Sequence, residues 1–194
     1  AMNHGSLDGP ASHGQVRLQA GVRNDAGDAR YSVMKNIVAR PLTPKAFAPF
    51  GQMLESPGSV ARLDYADTLE NKRAHAKANL LLARARPTTL PHEVAAMERH
   101  PDSSQSFFPL DVARYLILVC PDADPDTPDL DQLQAFIADG KQGISYNVGT
   151  WHHPMTALDR DGLFAALVWE DGSPRDTEWY HLDKTNRPVV VAGS

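Results

Sequence analysis

A chain of 194 residues, 42% apolar and 22% charged with a formal net charge of −5, is a globular protein and neither disordered nor fibrous. Its pI near 5.9 leaves no electrostatic footprint for nucleic acid or an anionic membrane surface. No apolar run approaches the roughly 18–20 residues of a membrane span, and no basic-then-apolar start marks a secretory signal; a cytoplasmic protein is the simplest expectation.

Residues 1–33 are rich in Gly, Ala, Asn, Asp and Ser without periodicity. They read as a flexible N-terminal extension or an appended leader, with residues 34–194 as a single domain. Patterned sequence starts with a strand over 35–42. Thr43-Pro44 then predicts a short helix, an N-cap followed by proline at the first helical position, ending at Gly51. Residues 55–75 read as loop. Strands are predicted over 79–86, 92–100 (where helix propensity also allows 92–99 to be helical), 105–110 and 114–120, the last ending in the lone Cys120, expected to be a buried and inert thiol. After a Pro/Asp-rich loop at 121–128, Asp129 as N-cap, Leu130, Leu133, Phe136 and Ile137 on one face and Gly140 as a stop predict a helix. Strands over 143–147, 152–158, 163–170 and 177–182 follow, separated by turn residues. Many short strands with one or two short helices indicate a mainly β domain, a sandwich or a barrel.

Two segments carry the chemistry. In Glu98-Arg-His-Pro-Asp-Ser-Ser-Gln105, Glu98 and His100 share a face if the backbone is extended. A turn through 101–104 returns Gln105 toward the same interior. In Gly149-Thr-Trp-His-His-Pro154, His152 and His153 point oppositely, so one of them can meet the first segment. Imidazole nitrogen, carboxylate oxygen and amide oxygen suit a divalent metal of intermediate softness. Without a metal the same groups can shuttle protons. The plainer readings are surface residues for Glu98 and His100, core or dimer contact for Trp151, and core filling for Phe107 and Phe108. His75, His92 and His181 have no evident partner and read as structural or exposed. The Asp-rich loop at 122–131 lacks the regular spacing of a calcium site.

These segments, with Ile37-Val-Ala-Arg-Pro-Leu-Thr-Pro and the Leu133-Gln-Ala-Phe-Ile stretch, resemble the ureidoglycolate lyase family of allantoin degradation, formerly called ureidoglycolate hydrolases. The likeness spans roughly residues 36–170. It implies a cupin-type, jelly-roll-like β-barrel and a homodimer, with Trp151 and Trp169 as candidate contacts. It also implies a cleavage of ureidoglycolate to glyoxylate and urea. The cupin motif spacing falls on Glu98, His100, Gln105 and His152, of which only His100 and His152 keep the usual ligand identities. The resemblance therefore makes these four the tentative ligands of a divalent ion of the nickel, zinc or manganese type, with no organic cofactor. Glu98, His100 and His152 are the implied catalytic residues, with Glu98 as the first candidate for the base. Arg84, Gln105 and His153 are the candidates for holding substrate. Two alternatives stand beside this one: another metal-dependent cupin acting on a small hydroxy or keto acid, and a non-catalytic small-acid binding cupin.

Overall fold

The computed structural model describes residues 35–193; the expected leader over 1–33 lies outside them. Among these residues no helix is long and apolar enough to cross a membrane. The chain builds two large sheets that face each other without closing. The mainly β, cupin-like architecture is thus an open sandwich.

The larger sheet runs in the order Glu178–His181, Ala96–Arg99, Trp151–His152, Arg114–Cys120, Gln134–Asp139 and Arg40–Pro41. Thr156–Leu158 also pairs with Arg114–Cys120. The second sheet runs Gly51–Leu54, Gly143–Tyr146, Gln105–Asp111, Gly162–Glu170 and Lys77–Ala85. Strand alternation explains how one run serves two cores. In Arg114–Cys120 the side chains of Tyr115, Ile117 and Val119 enter the core between the sheets, with Phe107, Tyr146 and Phe164. Leu116, Leu118 and Cys120 enter a second core on the opposite face, with Met97, Trp151 and Val190. That second core is closed by a small sheet of Asn36–Val38, Val189–Val191 and His92–Glu93. A strand covered on both faces reads as a continuous apolar run, and the sequence shows one.

The short helix Pro44–Phe47 forms as its signals predict. Thr43 Oγ1 accepts from the Ala46 N–H at 3.3 Å, and Pro44 occupies the first turn. The second helix, expected after Asp129, does not form. Asp129 does accept from the Asp131 N–H, but only a 3₁₀ turn, Leu130–Gln132, follows. Gln134–Asp139 is a strand paired in register along Arg114–Cys120. Phe136 and Ala138 face one core while Leu133 and Ala135 face the other. With both faces covered, period-2 and period-3.6 patterns overlap, and pairing across the sheet decides. Gly140 is required by proximity rather than as a helix stop, because a Cβ there would lie 1.9 Å from the Val112 carbonyl oxygen. Phe107 fills the core as expected, but Phe108 is 42% exposed, since adjacent strand residues cannot share a face.

Candidate active site

Register brings the two segments together. His152 is paired directly opposite Glu98 on the neighbouring strand, so both side chains project into the space between the sheets. The approach continues past the strand end, where the Gly149 N–H donates to the His100 carbonyl at 2.9 Å. Gly149 adopts φ +76° to do so, a conformation glycine takes without steric cost. From the facing sheet, Gln105 is paired opposite Tyr146, which projects both side chains toward the same space.

The His100 and His152 rings lie 5.5 Å apart between centroids. His100 Nδ1 is 2.6 Å from the Asp176 carbonyl oxygen, and His152 Nδ1 is 2.8 Å from that of Thr150. A carbonyl only accepts, so each Nδ1 carries the proton and each Nε2 presents a lone pair. Both Nε2 atoms are buried and unpartnered, and so is Gln105 Oε1. Buried acceptors without a donor are costly; three in one place mark a site built to be filled. Tyr146 holds the His152 ring from behind, stacked at 4.1 Å and 12°.

Glu98 Oε1 stands 3.5 Å from His152 Nε2, too long for a well-formed bond. Burial alone would push the Glu98 carboxyl up. The approach of His152 and the neighbouring imidazoles of His100 and His153 outweigh burial and hold it below the usual carboxylate range. Burial, reinforced by His152, holds the His100 imidazole below its ordinary value. At neutral pH the site therefore presents an anionic Glu98 beside a neutral, accepting His100.

The loop over 171–176 supplies the acceptor for His100 and is itself held by charge. The Asp176 carboxylate accepts from the Asp171 and Gly172 backbone N–H groups. It also accepts from Arg73 Nη1 at 2.7 Å, and Arg73 donates to the Trp169 carbonyl. Sequence reasoning missed Arg73, Tyr146 and the backbone oxygens of Thr150 and Asp176. A carbonyl acceptor has no residue signature; Tyr146 was accessible as the inward partner of a predicted strand.

The remaining candidates lie elsewhere. His153 donates its backbone N–H to Leu118, and its imidazole meets His92, Nε2 to Nε2 at 3.4 Å, not His100. Arg84 is on the edge strand Lys77–Ala85, 65% exposed and 3.7 Å from Asp161. Its neighbour across Leu163 is Asp111, six strand positions beyond Gln105 and roughly 20 Å from it along the sheet. Cys120 is buried, and burial pushes its thiol up to about 12. Trp151 is core, with its Nε1 donating to Asp122 at 2.8 Å and the Arg99 guanidinium 4.7 Å over its ring. Trp169 is half-buried.

Two imidazoles, one amide oxygen and one carboxylate fit a divalent ion of intermediate softness by donor chemistry. The Nδ1–H bonds to backbone carbonyls are the outer contacts that metal-ligating histidines make. Among the described residues no cluster of three or more His, Cys, Asp or Glu side chains stands ready-made for a metal.

The sequence profile of the ureidoglycolate lyase family matches residues 34–189. Among curated relatives, ureidoglycolate lyase of Pseudomonas fluorescens (strain SBW25) is 35% identical, over 81% of this chain and 98% of its own. The ureidoglycolate lyase of Pseudomonas syringae pv. tomato is 31% identical, over 81% and 96%. That of Schizosaccharomyces pombe is 31% identical, over 81% and 95%. With a profile match over most of its length and near-complete coverage of these relatives, the chain belongs to the ureidoglycolate lyase family.

Proposed function

We propose that this protein cleaves ureidoglycolate to glyoxylate and urea at the Glu98–His100–Gln105–His152 site. The observation that carries this reading is a cluster of buried, unpartnered acceptors beside an ionised carboxylate. It suits a small polar substrate rich in O–H and N–H donors. Ureidoglycolate is a carbinolamine: one carbon bears a hydroxyl, a carboxylate and a urea nitrogen. Cleavage breaks the carbon–nitrogen bond and converts the C–OH to C=O. The proton leaving the hydroxyl equals the proton gained by the nitrogen, so no water is consumed.

Glu98 takes the hydroxyl proton and delivers it to the departing nitrogen, acting as base and then acid. His100 and His152 accept from substrate donors through Nε2, and Gln105 does so through Oε1, fixing the reacting carbon against Glu98. A divalent ion, when bound, would be held by His100, His152 and Gln105 and would polarise the substrate oxygens. Purified protein should release equimolar glyoxylate and urea, assayed as isolated, after chelation, and after adding back nickel, zinc or manganese. Absence of product under all three conditions removes the assignment.

A second copy of the chain is the partner this reading includes, and we place it on the outer face of the five-stranded sheet. Leu80 and Leu82 are 73% and 70% exposed there, next to exposed Phe108 and Leu110. Lys77–Ala85 is an edge strand, an open template for pairing. Leu82→Glu should turn a sedimenting dimer into a monomer; a wild-type monomer, or a variant that still dimerises, removes this placement. A cytoplasmic setting accords with the single unpaired Cys120.

A further inference from the structure

The strand Glu178–His181 is the edge of the larger sheet and pairs Trp179 directly opposite Glu98. Directly paired residues share a face, with Cβ atoms about 5 Å apart. His152 follows opposite Glu98 on the next strand. Three adjacent strands thus present a row of indole, carboxylate and imidazole. The inner end of the row is buried and the outer end is not: Trp179 is 51% exposed.

A tryptophan left half in water is uncommon, because so large a ring is ordinarily covered. Trp179 belongs to neither hydrophobic core. Trp151, by contrast, is buried with its Nε1 bonded to Asp122. The Trp179 ring lies parallel to the His181 imidazole within 9°, centroids 6.1 Å apart, which restrains its plane at the lip of the site.

We propose that Trp179 is the binding platform for the planar ureido group of the substrate, an inference that rests on the lyase reading. The ureido group is flat and conjugated, and one face lies on the indole, as flat π-systems do on aromatic rings. Its edge carries N–H donors, and these point inward along the row to Glu98. The platform thereby sets the inner nitrogen beside the carboxylate that must protonate it. It also selects for substrates with a planar carbamoyl group over simple hydroxy acids.

The test compares wild type with Trp179→Ala and Trp179→Phe. The probes are ureidoglycolate, N-carbamoylglycine (which lacks the hydroxyl and cannot eliminate) and glycolate (which lacks the ureido group). N-carbamoylglycine should quench the tryptophan emission of the wild type. In W179A that response should vanish, its affinity should fall about tenfold, and KM for ureidoglycolate should rise by a similar factor with kcat within about threefold. W179F should keep most of the wild-type affinity, and glycolate should bind wild type and W179A alike. An unchanged KM and analogue affinity in W179A, or an equal loss for glycolate, overturns the platform. The two readings separate cleanly. Turnover with W179A indistinguishable from wild type keeps the lyase and discards the platform. Trp179-dependent binding of N-carbamoylglycine without urea release keeps the platform and discards the lyase.

Discussion

The molecule holds two histidine pairs, and they are bonded in opposite ways. His92 and His153 close on one another. Thr88 Oγ1 lies 3.1 Å from His92 Nδ1, the two Nε2 atoms meet at 3.4 Å, and His153 Nδ1 donates to the Pro154 carbonyl at 2.9 Å. That chain uses every ring nitrogen. His100 and His152 each use one nitrogen on a carbonyl and leave the other buried and unpartnered. Residue type is alike in the two pairs, but His100 and His152 are buried where His92 and His153 are only partly so, and it is the more deeply buried pair that is left unsaturated. A saturated pair is complete without a ligand, whereas an unsaturated one carries a desolvation cost that only a ligand offsets.

The sharpest way to break this contrast is to act on the unsaturated side. Glu98→Gln keeps the shape and removes the charge and the proton acceptor. Catalysis by a positioned acid–base group contributes roughly 10²–10⁴-fold, so kcat should fall by about a thousandfold. The melting temperature should fall slightly, because the folded site holds the Glu98 carboxyl below its ordinary range and so favours the charge that is removed. Steady-state kinetics with a thermal melt reads both. Activity within tenfold of wild type would move the base elsewhere.

The saturated pair should show itself in acid stability instead. Burial, with His92 beside it, pushes His153 down to about 4 from 6.5, and burial lowers His92 as well. Below about pH 6.5 the unfolded chain takes up protons that the folded chain refuses. Stability is therefore full above 6.5 and declines as pH falls toward 4, by on the order of 3 kcal/mol for His153. His100, lowered likewise, adds with the same sign. Urea denaturation at pH 7.5 and 4.5 should show this loss in the wild type and about half of it or less in His153→Gln. An equal pH dependence in the variant would mean that His153 is not buried neutral.

How far the sequence disclosed this arrangement depends on the kind of contact. The two site segments were legible because their ligand-type residues fall at fixed spacing and alternation decides their faces; only His153 or His152 could point inward, and register selects His152. The helix at Pro44–Phe47 was legible from its cap. Gln134–Asp139 was not, because a strand covered on both faces carries apolar residues at helix-like and strand-like intervals at once. The His92–His153 contact joins a short strand of the small sheet to a break in the large one, and no local pattern encodes it. The Asp176 carbonyl that fixes His100 is backbone, for which residue identity says nothing.

The smallest effect belongs to Arg84, and it tests the site from outside. The family resemblance made it a candidate for holding substrate, and a cation beside the substrate carboxylate is chemically sensible. The fold instead puts its guanidinium on an outer strand edge, mostly in water and 3.7 Å from Asp161. An exposed pair of this kind contributes about 0–1 kcal/mol to stability. Its distance from the site spans two Debye lengths at physiological salt, about 8 Å each, so its field is screened. Arg84→Ala should therefore leave kcat/KM within about twofold and the melting temperature within about 2 °C, read by the glyoxylate assay and a thermal melt. A tenfold rise in KM would place a cation at the substrate that the fold of one chain does not supply. Its source would then have to be the second copy, since Arg84 borders the apolar face on which that copy is placed.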